Sequence, residues 1–423
     1  MNKKTIIFVI ILLLLVIGAS FVLFFKNSKN EVVNGNRVNS GDNVSFNINL
    51  IKTVNSSKKE NYLISPYSIE IALNLLKEGA NGDTYTEIAN VIGERTIPNV
   101  TVNDRISVAN AAFIKNEYKD YIQDSFVNAI KDKYYSEILY DDFKTPKVIN
   151  DWVNKKTNGM IEKILDSVNS YFVLGLANAL AVDVKWNSSF DCSNTRSQEF
   201  TKSNASKINV EMMHKTFRYS GAKYLKDDLA RGIVIPYKMY DAKTGEEVIS
   251  DGNNLEFVAI LPNGNISDYI NNLTNETFIN LDNTSRMVDD NFQINLALPR
   301  FKYDYSLDNF KDILKELGIK KAFDSSLADF SKIIKTGNGI DNIYVGEAIH
   351  KTYIDLNEEG TQAAAVTYFG MFSNGAIVKE AESVDITFDK PFIYMIRDEK
   401  TKEILFFGAV YEPTKWTGST CSN

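Results

Sequence analysis

From Gly360 through Val378 the chain carries no charged side chain, although Glu358 and Glu359 precede the stretch and Lys379 and Glu380 follow it. At the two-residue period of a strand, one face presents Thr361, Ala363, Ala365, Thr367, Phe369 and Met371, and the other Gln362, Ala364, Val366, Tyr368, Gly370 and Phe372. Either face can be buried without stranding an unpaired charge. The segment is therefore fit to enter a β-sheet. Gly360 offers a backbone pivot free of the Cβ restriction, and the two carboxylates before it are expected to keep the base of the segment in water. Glu358, Glu359, Gly360, Thr361, Gln362, Ala363, Ala364, Ala365, Val366 and Thr367 together are expected to form a hinge. On composition alone, an ordinary interior strand of small side chains competes with that expectation.

The rest of the chain supplies a large body for such a segment to enter. At 423 residues two or three domains would be usual, but no Gly/Pro/Ser linker or charge block interrupts residues 44–415, so one large domain is expected there. Hydrophobic content of 44% provides a core that needs neither disulfides nor metal. Apolar spacing at Ile71, Ala72, Leu75 and Leu76 predicts a helix over 68–78, and Leu307, Phe310, Ile313, Leu314 and Leu317 predict another ending at Gly318. Strand-like runs cover 232–237, 255–261, 292–298, 343–357, 388–397 and 403–413. Helices early and strands late predict an α+β fold with large antiparallel or mixed sheets.

Residues 6–25 are uncharged and mostly apolar, long enough to cross a bilayer as a helix. Lys3 and Lys4 precede them, which favours an extracellular body. Residues 1–29 are read as an uncleaved anchor, with cleavage near Gly18-Ala19-Ser20 as the alternative that would yield a secreted protein. Residues 30–43, rich in Asn, Gly and Ser, read as a flexible linker, and 416–423 as a polar tail. Cys192 and Cys421 are the only cysteines, and a disulfide between them stays open. Net charge is −7 without a basic cluster, which argues against a nucleic-acid partner.

A search for catalytic machinery finds none. His214 and His350 stand outside any His-Glu-x-x-His pattern, and with two scattered cysteines they are too few for a zinc site, so no metal and no cofactor are expected. There is no Gly-x-Ser-x-Gly elbow, phosphate-binding glycine loop or dinucleotide fingerprint. The acidic pairs Asp141-Asp142, Asp227-Asp228 and Asp289-Asp290 read as solvated turns, with a carboxylate hydrolase left as a remote option.

Five blocks, in order, carry a family resemblance: 61–69 (NYLISPYSI), 75–84 (LLKEGANGDT), 149–161 (INDWVNKKTNGMI), 176–186 (LANALAVDVKW) with Phe190, and the strand, hinge and strand block of 343–413. Spanning roughly 44 to 415 with matching spacing, they resemble the serpins, and chance is a poor explanation. The resemblance implies a single α+β domain with a large central mixed sheet, further sheets, about eight or nine helices and an exposed reactive-centre loop. It implies a monomeric, extracellular, stoichiometric inhibitor, not an enzyme. Its partner is a serine or cysteine protease, held covalently once the cleaved loop inserts into the main sheet.

The alternative is a serpin-fold binding or structural protein that is merely cut. By the same resemblance Ser65, Ser68, Asn178 and His350 match a buried polar cluster that governs how two central strands part, and Trp186 matches a tryptophan where the hinge begins to enter. The scissile bond, about fourteen residues after the hinge glycine, points to Asn374-Gly375. Lys379 suits a trypsin-like protease, Phe372 or Met371 a chymotrypsin-like one, and Asn374 an asparagine-directed one. Two departures from the family pattern stand out, Gln362 for the usual hinge glutamate and Gly346 for a common serine, and neither opposes insertion.

Overall fold

A helix buried almost all round anchors the architecture. In the computed structural model the chain is described over residues 45–57, 60–93, 95–97, 106–240, 246–248, 255–335, 342–361 and 381–414. Ser65 is extended (φ −112°), its hydroxyl accepts from the Ser68 amide, and Pro66 opens the helix Pro66–Gly79, here α2. Tyr67, Ile69, Ile71, Leu73 and Leu75 are all buried, so the sequence expectation of a helix over 68–78 holds with two extra residues at its start and one at its end. Seven other α-helices are described: α1 (Phe46–Ser57), α3 (Gly82–Ile92), α4 (Asp124–Tyr134), α5 (Lys147–Lys156), α6 (Ile266–Asn271), α7 (Thr277–Asn283) and α8 (Phe310–Leu317). Gly318, at φ +121°, ends α8 where the sequence placed its stop.

Seven strands form the largest continuous ladder, in the order β1 (Tyr62–Ile64), β20 (Ile404–Val410), β19 (Phe392–Asp398), β12 (Leu255–Pro262), β9 (Ala230–Pro236), β8 (Lys223–Lys226) and β13 (Arg286–Met287). Every residue of β12 and β20 is buried, which explains why these strands read as unbroken apolar runs. A four-stranded sheet runs β18 (Glu382–Thr387), β14 (Phe292–Pro299), β7 (Lys207–Phe217) and β6 (Arg196–Thr201), with β18 parallel to β14. The short pair β10 (Met239–Tyr240) and β11 (Glu247–Val248) stands apart.

The remaining strands form two ladders. One is β3 (Glu137–Asp141), β2 (Ile106–Lys115) and β4 (Leu174–Val182), mixed because β2 and β3 run parallel. The other is β15 (Phe301–Ser306), β16 (Lys351–Leu356), β17 (Gly360–Thr361) and β5 (Val184–Lys185). Because β5 follows β4 along one strand path, the two ladders meet at β5, while among the described residues no ladder joins β4 to β16 below it. That seam is the feature that positions the candidate site.

The alternating run 343–357 becomes a strand only over Lys351–Leu356. Residues 342–350 have no ladder partner beyond single contacts such as the Val345 amide to the Ala322 carbonyl at 2.8 Å, so alternation alone does not make a strand there. Among the described residues no helix is long and apolar enough to cross a membrane. The segment 6–25 and the spacer after it lie outside the described residues. Cys192 is disulfide-bonded, and the sequence's other cysteine, Cys421, also lies outside them.

Candidate functional site: a strand seam and its two fastenings

The first two residues after the turn, Gly360 and Thr361, pair into the upper end of the sheet. After β16 the chain turns through residues 357–359 and Gly360 and Thr361 return as β17, seated between β5 and β16, with Gly360 opposite Lys185 and Thr361 opposite both Val184 and Leu356. A Cβ on Gly360 would lie 2.2 Å from the Val184 carbonyl oxygen and 2.7 Å from the Lys185 Cα. Glycine is required here for close backbone approach rather than as the free pivot the sequence suggested. Gln362, Ala363, Ala364, Ala365, Val366, Thr367, Met371, Phe372, Asn374, Gly375 and Lys379 lie outside the described residues.

Aromatic packing and backbone hydrogen bonds hold this entry. Trp186 is fully buried, stacks on Tyr237 at 4.7 Å and 7°, and meets Phe257 edge-on. Its Nε1 donates to the Asn357 carbonyl at 2.9 Å and its amide to the Glu359 carbonyl at 2.9 Å. The Tyr237 and Thr361 hydroxyls are 2.6 Å apart, and burial pushes the Tyr237 phenol far above its ordinary range.

The two hinge carboxylates do not simply sit in water, which corrects the sequence expectation. Glu358 is buried, and its Oε1 accepts from Arg300 Nη1 at 3.1 Å and from Thr195 Oγ1 at 2.6 Å. Arg300, at the end of β14, is itself buried, so the charge is compensated rather than solvated. Glu359 is partly buried, and desolvation raises its pKa against the pull of Lys185. Sequence reasoning missed Arg300, Thr195 and Tyr237. No local pattern marks them, since each meets the hinge from more than fifty residues away.

A neutral relay fastens the lower end. The Ser65 amide donates to His350 Nε2 at 3.0 Å, which makes Nε2 an acceptor and leaves the imidazole proton on Nδ1. The Ser68 amide donates to Ser65 Oγ at 3.1 Å, and Ser68 Oγ donates to Asn178 Oδ1. Asn178 Nδ2 then donates to Asn110 Oδ1, and Asn110 Nδ2 to the Tyr134 carbonyl, both at 2.8 Å. The relay thus runs from His350 beside β16, across the start of α2, to β4 and β2. Burial without a charged partner lowers the His350 pKa from 6.5 to about 4. All four residues of the expected cluster are brought together, and Asn110 is an unforeseen fifth member.

Between the fastenings, two small clefts follow the seam. Leu180, Val182, Tyr353, Ile354 and Thr361 line the upper, and Asn178, Ala179, Ile161, Ile164, His350 and Thr352 line the lower. The segment after α5 lies against this region: the Ile164 and Leu165 amides donate to Asn150 Oδ1, and Lys351 Nζ donates to the Lys163 carbonyl. The clefts lie beneath the paired Gly360 and Thr361, along the stretch where no ladder among the described residues joins β4 to β16. In the lower cleft His350 Nε2 accepts from the Ser65 backbone amide rather than from a serine hydroxyl. Among the described residues no group of three or more His, Cys, Asp or Glu side chains is placed to hold a metal ion. The acidic pairs serve turns: Asp227 Oδ1 accepts from the Leu229 and Ala230 amides, and Asp289 Oδ1 from that of Asn291.

The family model for serpins (serine protease inhibitors) matches residues 42–413, and the chain belongs to that family. An uncharacterized serpin-like protein of Methanosarcina acetivorans is 30% identical over 381 residues, covering 85% of this chain and 83% of the relative. The leukocyte elastase inhibitor of Bos taurus is 29% identical over 400 residues, covering 88% and 99%. Among solved structures, the thermophilic serpin tengpin in its native state superposes with a TM-score of 0.72 at 31% identity, covering 87% of this chain and 92% of tengpin. The fold described above is therefore the serpin fold, with a large central sheet, additional sheets and surrounding helices. Members of the family generally act on target proteases rather than as catalysts.

Proposed function

We propose that this chain is a single-use inhibitor of serine, or cysteine, proteases, displayed outside the cell on its amino-terminal segment. The observation that carries the proposal is the pairing of Gly360 and Thr361 between β5 and β16, directly above the unladdered seam with β4. A strand begun at that point can continue downward without first breaking a ladder. In the reaction the protease serine Oγ attacks a loop carbonyl, an ester forms as the peptide C–N bond breaks, and the new amine takes the proton from the protease's general base. The amino-side segment then inserts as a strand and carries the ester-linked protease with it, misplacing the groups that deacylation needs. A cysteine protease would give a thioester in the same place.

This mode is the family's recognised behaviour; the contribution of the present sequence is a segment free of charge from Gly360 to Val378, which takes in the hinge residues after Glu359. Hinge residues 358–367, the lower cluster of Ser65, Ser68, Asn178 and His350, and Trp186 at the entry take the mechanical roles, with Asn374-Gly375 as the proposed scissile bond.

The test is incubation of the chain lacking residues 1–29 with proteases of varied specificity, followed by denaturing gels and mass spectrometry. A band at the summed mass that survives denaturant, with a released fragment beginning at Gly375, is expected. Loop cleavage without such a band across all specificities would replace the inhibitor with a serpin-fold substrate.

A further inference from the structure

Two carboxylates are buried outside the hinge and its relay, and they share one cation. Glu70 lies on α2, and Glu403 immediately precedes β20. Arg95 reaches both. Its Nε donates to Glu70 Oε1 at 2.7 Å, its Nη1 to Glu403 Oε2 at 2.8 Å and its Nη2 to Glu403 Oε1 at 3.0 Å, while Nη2 also donates to Glu70 Oε2. The Arg95 side chain stays 39% exposed, whereas those of Glu70 and Glu403 are 1% and 5% exposed. A half-open guanidinium thus closes over a buried acidic pair, and its planar fork is what serves two carboxylates at once. Burial raises the Glu70 pKa against the pull of Arg95.

Arg95 also stands on backbone that a protease could take. Helix α3 ends at Gly93, and Arg95, Thr96 and Ile97 belong to no helix or strand, the first two being exposed. Proteolytic nicking favours such open segments, and backbone already laddered into a sheet is refused because its hydrogen bonds are spent. Among the other described arginines, Arg196, Arg231, Arg286 and Arg397 lie in strands, Arg300 is buried and Arg218 is tied to the Asp290 carbonyl in a turn. At Arg95 the backbone is open, but the side chain that a trypsin-like specificity pocket must take is already held by two carboxylates.

We propose that the Arg95–Thr96 bond is a gated cleavage site for trypsin-like serine proteases, shut while Glu70 and Glu403 hold the guanidinium. Cleavage follows the open fraction, because the clamp must release Arg95 before the carboxylate of the protease's pocket can bind it. The protease serine Oγ then attacks the Arg95 carbonyl carbon, the C–N bond to Thr96 breaks and the amine takes the proton from the protease's general base. Water hydrolyses the ester, leaving a carboxylate on Arg95 and an amine on Thr96. The new carboxylate turns the cation of the clamp into a zwitterion, so the buried pair is compensated less well after cleavage than before. The cut therefore loosens the start of β20 from α2 and does not reset. It lies outside the loop and does not depend on whether the loop traps a protease.

The test is timed digestion of the whole folded chain by trypsin, with mass spectrometry of the fragment that begins at Thr96. Wild type is compared with Glu70→Gln, Glu403→Gln and Arg95→Lys. Glutamine keeps the shape of the clamp and drops a charge. Arg95→Lys leaves a residue that trypsin accepts but replaces the fork with a point charge. Cleavage after Arg231 and Arg397, both laddered, reports global opening in the same digest. The expected result is cleavage after position 95 at least tenfold faster in the variants than in wild type, with cleavage after Arg231 and Arg397 within twofold. A rise below tenfold in all three variants would overturn the gate, and no cleavage after position 95 in any of them would overturn the site. An equal rise after Arg231 and Arg397 would assign the effect to global unfolding and overturn the gate as well.

Discussion

His350 makes the lower fastening sensitive to acid, and the sign follows from its hydrogen bond. Nε2 accepts from the Ser65 amide, so protonation replaces an acceptor with a donor facing a donor, in a site that burial has stripped of water. The folded pKa, about 4, lies below the unfolded value of 6.5. Below pH 6.5 the unfolded chain therefore binds the proton first, and the stability held above that pH is lost as the pH falls toward 4. Each pH unit of separation is worth about 1.4 kcal/mol, so the full loss is about 3 kcal/mol, and lowering the pH from 7.5 to 5.5 accounts for about 1 kcal/mol of it.

The interval from 7.5 to 5.5 is informative because the chain has only two histidines. His214 is half-buried, and its pKa is also lowered, by desolvation and the Arg196 charge, so it contributes in the same direction. The perturbation that isolates His350 is His350→Asn, which keeps an acceptor for the Ser65 amide and cannot titrate. Urea unfolding at both pH values is the assay. With a slope of about 1–3 kcal/mol per molar, the wild-type midpoint should fall several tenths molar further than that of the variant. Contributions from His214, Glu70 and Glu359 are common to both proteins and cancel. If wild type and His350→Asn lose the same stability over this interval, the reasoning from the buried acceptor is refuted.

Other perturbations address the upper fastening and the hinge. Glu358→Ala leaves Arg300 buried without its hydrogen-bonded carboxylate and should cost about 3–5 kcal/mol, read as a lowered unfolding midpoint; a loss below about 1 kcal/mol would mean the pair is solvated in solution. Gly360→Val drives a side chain into the Val184 carbonyl and should unseat β17, with a red shift in tryptophan emission from exposure of Trp186; an unchanged spectrum would place the hinge elsewhere. Ala363→Arg sets a charge where the proposed strand must enter and should turn the inhibitor into a substrate, seen as a stoichiometry of inhibition rising several-fold; retained trapping would refute insertion through residues 362–367.

What the sequence exposed and what it hid divide along the distance of the contacts involved. Helix α2 and strands β12 and β20 were legible because their apolar spacing or unbroken apolar runs encode burial locally. The expectation that the segment after Gly360 suits a sheet rests on its lack of charge; Gly360 and Thr361 pair in a ladder, and residues 362–378 lie outside the described residues. The fate of Glu358 was not legible, because its partners Arg300 and Thr195 stand 58 and 163 residues away and nothing near either marks them. The cluster around His350 was reached by resemblance alone. Its central contact spans 285 residues, and the local alternation of 343–357 pointed to a strand where only Lys351–Leu356 finds a ladder partner.

Strand β16 connects the two fastenings and gives the structure's mechanical claim a direct test. His350 precedes it, the seated hinge follows it, and its six residues span about 20 Å. On one side it is fully laddered to β15; on the other, within the described residues, it meets only Thr361, through Leu356. Perturbations that far apart ordinarily add to within about 0.5 kcal/mol. A strand free along most of one edge should instead part from β4 as a unit, so that loosening either end spends part of the stability the other holds. The midpoints of wild type, His350→Asn, Gly360→Val and the double variant at pH 7.5 form the cycle, and a coupling above about 0.5 kcal/mol is expected. Strict additivity would mean that the ends of the seam open independently, and that the neutral relay beneath His350 has no hold on how the hinge enters.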